Sequence, residues 1–241
     1  MGSIASNLQE VKRRIAAACA SAGRGDGILT LAPQVGDAGI TLLAVSKTFD
    51  ADAVRQAHVA GQRAFGENYV QEALAKIEAL ADLQPPIQWH LIGPLQGNKT
   101  RVVAEAFDWV HSVDRLKVAQ RLSEQRPADL PPLQLCLQVN ISGQASKSGL
   151  APHEVADVAR GVAVLPHVVL RGLMAIPEPA ATFDAQRAPH RALRELLERL
   201  KRDGLALDTL SMGMSADLEA AVAEGSTLVR VGTAIFGERE P

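Results

Sequence analysis

Lys47 closes the apolar run TLLAVSK at residues 41–47, a position that can give a lysine a chemistry of its own. A strand buried on both faces would carry this side chain to the mouth of an α/β fold. Desolvation there disfavours the ammonium form, lowers the pKa and frees the amine to add to an aldehyde. The opposing expectation is a stem that snorkels until the ammonium reaches water. Lys12, Lys76, Lys117 and Lys201 lie in polar stretches of helical spacing, where an ammonium stays hydrated. Lys99 follows Gly97 and Asn98 at a helix start, and Lys147 sits in the loop QASKSG. Both are expected to be solvated and therefore poor imine formers.

Two later segments carry a second kind of chemistry. LSMGMSADLEAAV supplies Ser211, Gly213 and Ser215 ahead of a helix, with Ser215 the expected N-cap. VRVGTAIFG supplies Arg230, Gly232 and Thr233 at the end of a strand. Free backbone N–H groups at a helix start, joined by small hydroxyls, make a phosphate cradle. Taken singly, the two segments also read as one cap and one tight turn, and Arg230 as half of a structural ion pair. His90, within IQWHLIGPLQGNK, lies inside a strand pattern and reads equally as a ligand contact or as a satisfied core histidine. The histidines and cysteines show no metal-ligand spacing. GRGDG is neither a dinucleotide fingerprint nor a P-loop, because no strand precedes it and no GK[ST] follows.

The elements that must position these residues follow from periodicity. Ile4, Leu8, Val11, Ile15 and Cys19 recur at helical spacing and predict an N-terminal helix over 1–22. The glycine-rich stretch 23–40 predicts an irregular loop. From residue 41, short apolar runs at 41–46, 63–66, 87–92, 109–112, 133–139, 168–173, 208–210 and 228–231 alternate with amphipathic stretches. The clearest of these are 51–60, 69–80, 114–125, 152–163, 185–202 and 215–223. Eight strands in regular alternation predict a single α/β domain spanning 1–241, a TIM-like (β/α)8 barrel over 41–241, with an open doubly wound sheet as the alternative.

In a barrel, the residues just past each strand face one rim, and the loops after the last two strands are the usual phosphate site. Lys47 then faces Ser215, Gly232 and Thr233 across a small, flat ligand. Pyridoxal 5′-phosphate carries an aldehyde and a phosphate on one ring and fits that span, with Arg230 beside the pyridine nitrogen. A guanidinium there disfavours protonation of the nitrogen and weakens the ring as an electron sink.

Composition narrows the class. The chain has 241 residues, 47% hydrophobic and only 3% aromatic, so Ala, Val and Leu must fill a large core. A net charge of −2, with no interleaving of aromatic and basic residues, argues against nucleic acid as a partner. No apolar run approaches transmembrane length, and no secretory leader is evident. The opening MGSIAS matches the loose myristoylation pattern, which is too short to carry weight. Cys19 and Cys136, both in apolar patterns, are expected to be buried thiols in a reducing cytoplasm.

The motifs AVSKTFDADAVRQAHVAGQRAFGENYVQEA, WHLIGPLQGNK, VNISGQASKSG, RGLMAIP, LSMGMSADLEAAV and VRVGTAIFG, in this order, resemble the pyridoxal phosphate homeostasis protein family of the YggS/PROSC type. The resemblance covers nearly everything from residue 41 onward. It implies a barrel like the N-terminal domain of alanine racemase (PLP fold type III), with the cofactor held as a Schiff base on Lys47. It maps Ser215, Arg230, Gly232 and Thr233, with Ser211 in the same loop, onto the phosphate and ring-nitrogen contacts, and Asn68 onto the pocket wall. It also implies buffering or delivery of the cofactor, with PLP-dependent apoenzymes as recipients and no dedicated reaction. Two stretches depart from the pattern. The 23–40 loop is longer than usual, and Gly143 and Gln144 stand where an acidic residue is common, which leaves Lys147 without a role.

A racemase of this type needs two opposed acid/base groups, one of them a tyrosine from a second domain. Here Tyr69 is the only tyrosine and the chain ends at Pro241, so a non-catalytic cofactor-binding protein is expected; a one-domain barrel of this size can be stable alone, so a monomer is expected. A single-domain amino-acid racemase is the alternative. A cofactor-free Schiff-base aldolase would need a carboxylate near Lys47, for which Glu67 is the candidate.

Overall fold

The run Ile40–Val45 (β2), ITLLAV, is apolar at all but one position and buried along nearly its whole length, the signature of a parallel strand covered on both faces. The computed structural model describes residues 2–24, 29–30, 39–144 and 147–238. Seven further strands follow: β3 (Ala64–Glu67), β4 (Gln88–Leu91), β5 (Trp109–Val113), β6 (Leu133–Gln138), β7 (Val168–Met174), β8 (Thr209–Ser211) and β9 (Leu228–Val231). Each pairs in parallel with its predecessor, and β9 returns to β2 from Thr41↔Leu228 to Ala44↔Val231, which closes an eight-stranded barrel. The expected strands fall on the observed ones with ends that differ by at most one residue. One correction falls in 23–40: Leu29–Thr30 (β1) pairs in parallel with Ile40 and Thr41. Residues 25–28 and 31–38 of that loop lie outside the described residues.

The outer layer comprises α2 (Ala51–Val59), α3 (Val70–Ala79), α4 (Thr100–Ala106), α5 (Leu116–Gln125), α6 (Val155–Ala163), α7 (Phe183–Arg202) and α8 (Leu218–Ala223). After β9 the chain forms only a four-residue helix, α9 (Thr233–Phe236), too short to cover its strand. The N-terminal helix α1 (Ile4–Ser21) takes that place, packing Leu8, Val11, Ile15, Ala18 and Cys19 against the barrel between α8 and α2. At the rim end Asn7 Nδ2 donates to the carbonyl of Ile235 at 3.0 Å. At the opposite end Arg24 Nη1 donates to the carbonyl of Ser226 at 2.7 Å. The apolar stripe of α1 is thus consumed by its own barrel, leaving no such face for a partner.

Two kinds of interior result. The main hydrophobic core lies between sheet and helices. Inside the barrel, apolar packing is confined to Leu43, Ala64 and Leu228 with Ile92, and to Trp109, Cys136 and Met174. Polar groups occupy the rest. Arg171 lies over the Trp109 ring at 5.0 Å and forks onto Asp208 at 2.8 Å, sealing the lower end. Both cysteines are free and buried, and burial pushes the Cys136 thiol up to about 12.

Candidate functional site

Side chains alternate along a strand, so β2 sends Thr41, Leu43 and Val45 inward, and the next inward position beyond its end is Lys47. A cavity of about 220 Å³ opens there at the rim, walled by Lys47 and Phe49, by Asn68 after β3, and by Arg230, Gly232 and Thr233 from the end of β9. Ile92, Ile176 and Met214 supply its apolar sides. Five residues expected at the site from separate strands and loops, Lys47, Asn68, Arg230, Gly232 and Thr233, therefore share one cavity.

The segment carrying Lys47 is fixed from behind. Ser46 donates its N–H to the carbonyl of Gly66 at 3.0 Å and its hydroxyl to Glu67 Oε1 at 2.6 Å. Lys76 Nζ donates to the Ser46 carbonyl, to Glu67 Oε1 and to Glu72 Oε1, each at 2.7 Å. Thr48 turns the chain in the left-handed region at φ 70° and donates its N–H to Glu72 Oε1 at 2.5 Å. Phe49 then stacks on Phe236 of α9, with centroids 5.0 Å apart.

Two expectations are corrected here. Lys76 is not a hydrated helix-surface lysine but is 5% exposed. Glu67 is not a proton relay near Lys47, because it points outward to α3 and is held by Lys76 and Ser46. Burial pushes the Glu67 carboxyl up, against the bonds from both partners.

Arg230 is buried, and no carboxylate lies within ion-pair distance of it among the described residues, so the structural ion pair is not formed. Its Nη1 donates to the Ser211 carbonyl at 2.6 Å and to Ser211 Oγ at 2.7 Å, and its Nη2 to the Ala175 carbonyl at 2.8 Å. The remaining N–H groups are left for the cavity it lines. Burial pulls this guanidinium down to about 10, with the more distant Asp217 opposing. Beside it, a Cβ on Gly232 would lie 3.1 Å from the carbonyl oxygen of Val45. Glycine there lets the end of β9 approach β2 and sets the start of α9, whose first amides have no intrahelical acceptor.

Three expected residues lie elsewhere. Ser215 is not the N-cap of α8, because Asp217 holds that position. Asp217 Oδ1 accepts the N–H of Met214 at 2.7 Å, and its Oδ2 takes His190 Nε2 at 3.0 Å. Both Ser and Asp suit a cap, but the Asp217 carboxylate bonds no helix amide and is spent on Met214 and His190. Ser215 sits half-buried in the preceding turn, next to Met214. Ser211 is fully buried beneath Arg230. His90 is a core histidine with both nitrogens engaged, Nε2 by Gln88 Oε1 at 3.0 Å and Nδ1 by His111 Nε2 at 2.9 Å.

A second rim cavity of about 300 Å³ shares Asn68, Ile92 and Ile176 with the first and extends over Gly93, Asn140 and Lys147. Lys147 is paired to Glu178 at 2.5 Å, not solvated alone. Gly93 is obligatory where these loops meet, since a Cβ would lie 2.1 Å from the carbonyl oxygen of Asn68. Sequence reasoning missed Phe49, Met214 and His111. Only His111 left a usable signal, as the inward alternate of Trp109 in WVHSV.

A closed barrel with an amine at the end of its first barrel strand and a guanidinium at the end of its last defines the class, and the chain belongs to the alanine racemase N-terminal domain family, which residues 28–240 match. Within that class it is 60% identical over 240 residues to the pyridoxal phosphate homeostasis protein of Pseudomonas aeruginosa, covering 100% of this chain and 97% of that one. Identity to the protein of the same name from Escherichia coli is 50% over 241 residues, covering 100% and 98%. PipY of Synechococcus elongatus, solved with PLP bound, superposes with a TM-score of 0.81 at 38% identity, covering 98% of this chain and 100% of that one. An alanine racemase from Clostridium difficile shares the fold, with a TM-score of 0.66 at 14% identity, covering 88% and 55%.

Proposed function

We propose that this chain binds pyridoxal 5′-phosphate in the rim cavity through Lys47 and holds it for release, acting in the homeostasis of the cofactor and not as a dedicated catalyst. The observation that carries the reading is the pairing, on the walls of one cavity, of Lys47 with a buried guanidinium that has no carboxylate within ion-pair distance among the described residues. A buried cation without a counterion wants an acceptor, and the ring nitrogen supplies one. The fit extends to the start of α9, where Gly232 and the first amides of the helix suit a phosphate. Bound there, the cofactor supplies an aldehyde for the Lys47 amine and an electron-withdrawing ring. Arg230 can only donate, so it keeps the ring nitrogen unprotonated and limits that withdrawal. The names and bound ligand of the relatives agree with this reading.

Holding rather than turnover is favoured by the cavity wall. Among the described residues that line it, none is a Tyr, His, Asp or Glu that could oppose Lys47, and Tyr69 is 58% exposed outside both cavities. Glu67, withdrawn onto Lys76, gives the aldolase reading no relay. A monomer accords with the consumed apolar face of α1. A cytoplasmic setting accords with two buried free thiols, and apoenzymes that lack the cofactor are the natural recipients.

The test is the absorption spectrum of purified protein with added pyridoxal phosphate, followed by borohydride reduction and peptide mapping. A long-wavelength band, and a reduced adduct on Lys47, are expected in wild type and absent in Lys47→Ala. An undiminished band in Lys47→Ala, or an adduct confined to another lysine, would refute the assignment. Sustained amino-acid turnover abolished by Lys47→Ala would favour the enzyme.

A further inference from the structure

Beneath the cavity a line of polar side chains crosses the barrel interior from Arg230 to β4. Arg230 Nη1 reaches Ser211 Oγ at 2.7 Å, Ser211 Oγ reaches His111 Nδ1 at 2.8 Å, His111 Nε2 reaches His90 Nδ1 at 2.9 Å, and His90 Nε2 reaches Gln88 Oε1 at 3.0 Å. Ser211, His111 and His90 are all completely buried. The direction of the bonds follows from the far end. The amide oxygen of Gln88 can only accept, so a neutral His90 donates to it from Nε2 and accepts at Nδ1. His111 then donates from Nε2 to His90 and accepts at Nδ1. Ser211 Oγ, which accepts from the donor-only guanidinium, gives its hydrogen to His111 Nδ1. Each step has one donor and one acceptor, and the chain can run only one way.

We propose that His111, with His90 behind it, is a positioning residue for the cofactor site: the chain holds the Ser211 hydroxyl as an acceptor under Arg230 and so aims the guanidinium at the ring nitrogen. The inference rests on the proposed binding of pyridoxal phosphate. Both imidazoles are held neutral, as this role requires. Burial draws His90 down to about 3, and His111 lies well below the ordinary histidine value through burial, His90 and Arg230. Arg230 is then the only cation of the chain. The Trp109 ring, stacked on His90 at 5.3 Å and 7°, fixes the plane of the far imidazole. Without the acceptor at His111, the Ser211 hydrogen would be a buried unpaired donor. The hydroxyl would turn toward a carbonyl, and Nη1 would lose an acceptor.

The test compares His111→Phe with His111→Asn. Phenylalanine fills the space but accepts nothing, whereas the Asn amide oxygen attaches to Cγ as Nδ1 does and can still accept from Ser211. Pyridoxal phosphate carrying ¹⁵N in its ring is titrated into each folded protein. The expected result is a dissociation constant about tenfold higher in His111→Phe, with the ¹⁵N resonance displaced from its wild-type position, and near-wild-type values in His111→Asn. Unchanged affinity and resonance in His111→Phe overturn the proposal, as do equal losses in both variants. Should His111→Phe fail to fold, Ser211→Ala decides, because it removes the same acceptor from Arg230: the same displacement supports the chain, and wild-type behaviour refutes it. Failure of wild type itself to bind through Lys47 removes the cofactor reading and this inference with it. Binding by wild type with indifferent variants removes this inference alone.

Discussion

Replacing Lys76 with methionine strips the buried Glu67 of its counterion, directly behind the segment that carries Lys47. Lys76 and Glu67 have side chains 6% and 0% exposed and meet at 2.7 Å, and Glu67 Oε2 has no hydrogen-bond partner. Removing one partner of such a pair costs about 3–5 kcal/mol. The charge part has a ceiling, because the variant can fold with Glu67 protonated. At pH 7 that proton costs about 3.7 kcal/mol, at 1.36 kcal/mol for each unit above an unfolded value near 4.3. At pH 5 the cost falls to about 1 kcal/mol by the same rule. The sign follows from proton binding. The native carboxyl titrates above the unfolded one, so between the two values the native state holds more protons, and stability falls as pH rises. In wild type the direction is the same, but Lys76 and Ser46 restrain it. Urea unfolding should therefore show Lys76→Met less stable by about 3–4 kcal/mol at pH 7, or roughly 7–14 °C in Tm, with much of the loss recovered at pH 5. The double variant Lys76→Met/Glu67→Gln should regain half or more of it. A loss below about 1 kcal/mol at pH 7, or one independent of pH, would refute the argument.

Other expectations follow from single contacts. Leu8→Ala in α1, fully buried against the barrel, should cost about 2–5 kcal/mol in denaturant unfolding; a loss under about 1 kcal/mol would mean that α1 does not complete the helical ring. Gly93→Ala, whose Cβ would lie 2.1 Å from the Asn68 carbonyl oxygen, should lower stability by about 1–3 kcal/mol and weaken cofactor binding together, both read by thermal shift with and without pyridoxal phosphate. Arg230→Lys keeps the charge but loses the fork, so cofactor affinity should fall at least about tenfold by spectral titration, with the far-ultraviolet circular dichroism unchanged.

The barrel was legible because its strands are covered on both faces: ITLLAV and its successors stand out as short apolar runs at regular spacing. Lys47 and Arg230 were legible for the same reason, as the polar terminators of such runs. Residues whose setting depends on distant partners were not. Lys76 looks like any lysine on an amphipathic helix, and its burial depends on Glu67, nine positions earlier on a different element. The place of α1 could not be read from its own stripe, since what decides it is the four-residue length of α9 at the other end of the chain. Ser215 and Asp217 are both cap-type residues, and the helix starts at Asp217 without a side-chain cap, its carboxylate being held by Met214 and His190. His90 and His111 were hidden differently, because buried imidazoles in a strand pattern give no hint of direction until the acceptor-only amide oxygen of Gln88 sets it.

The two ends of the cavity are held by unlike means, and the difference bears on release. Behind Lys47 lies an ionic cluster in the helix layer, and beneath Arg230 a neutral chain in the lumen, so both anchors are fixed before any ligand arrives. Preorganised anchors limit the ordering cost of binding, which favours tight retention in a site of few contacts. The mouth is the opposite: Thr233 is exposed and Ile176 is 42% exposed. An amine arriving from outside would reach a cofactor held there without displacing protein first, whereas no described Tyr, His, Asp or Glu lines the cavity as a second base opposite Lys47. That asymmetry suits the proposed holding and release of the cofactor better than turnover.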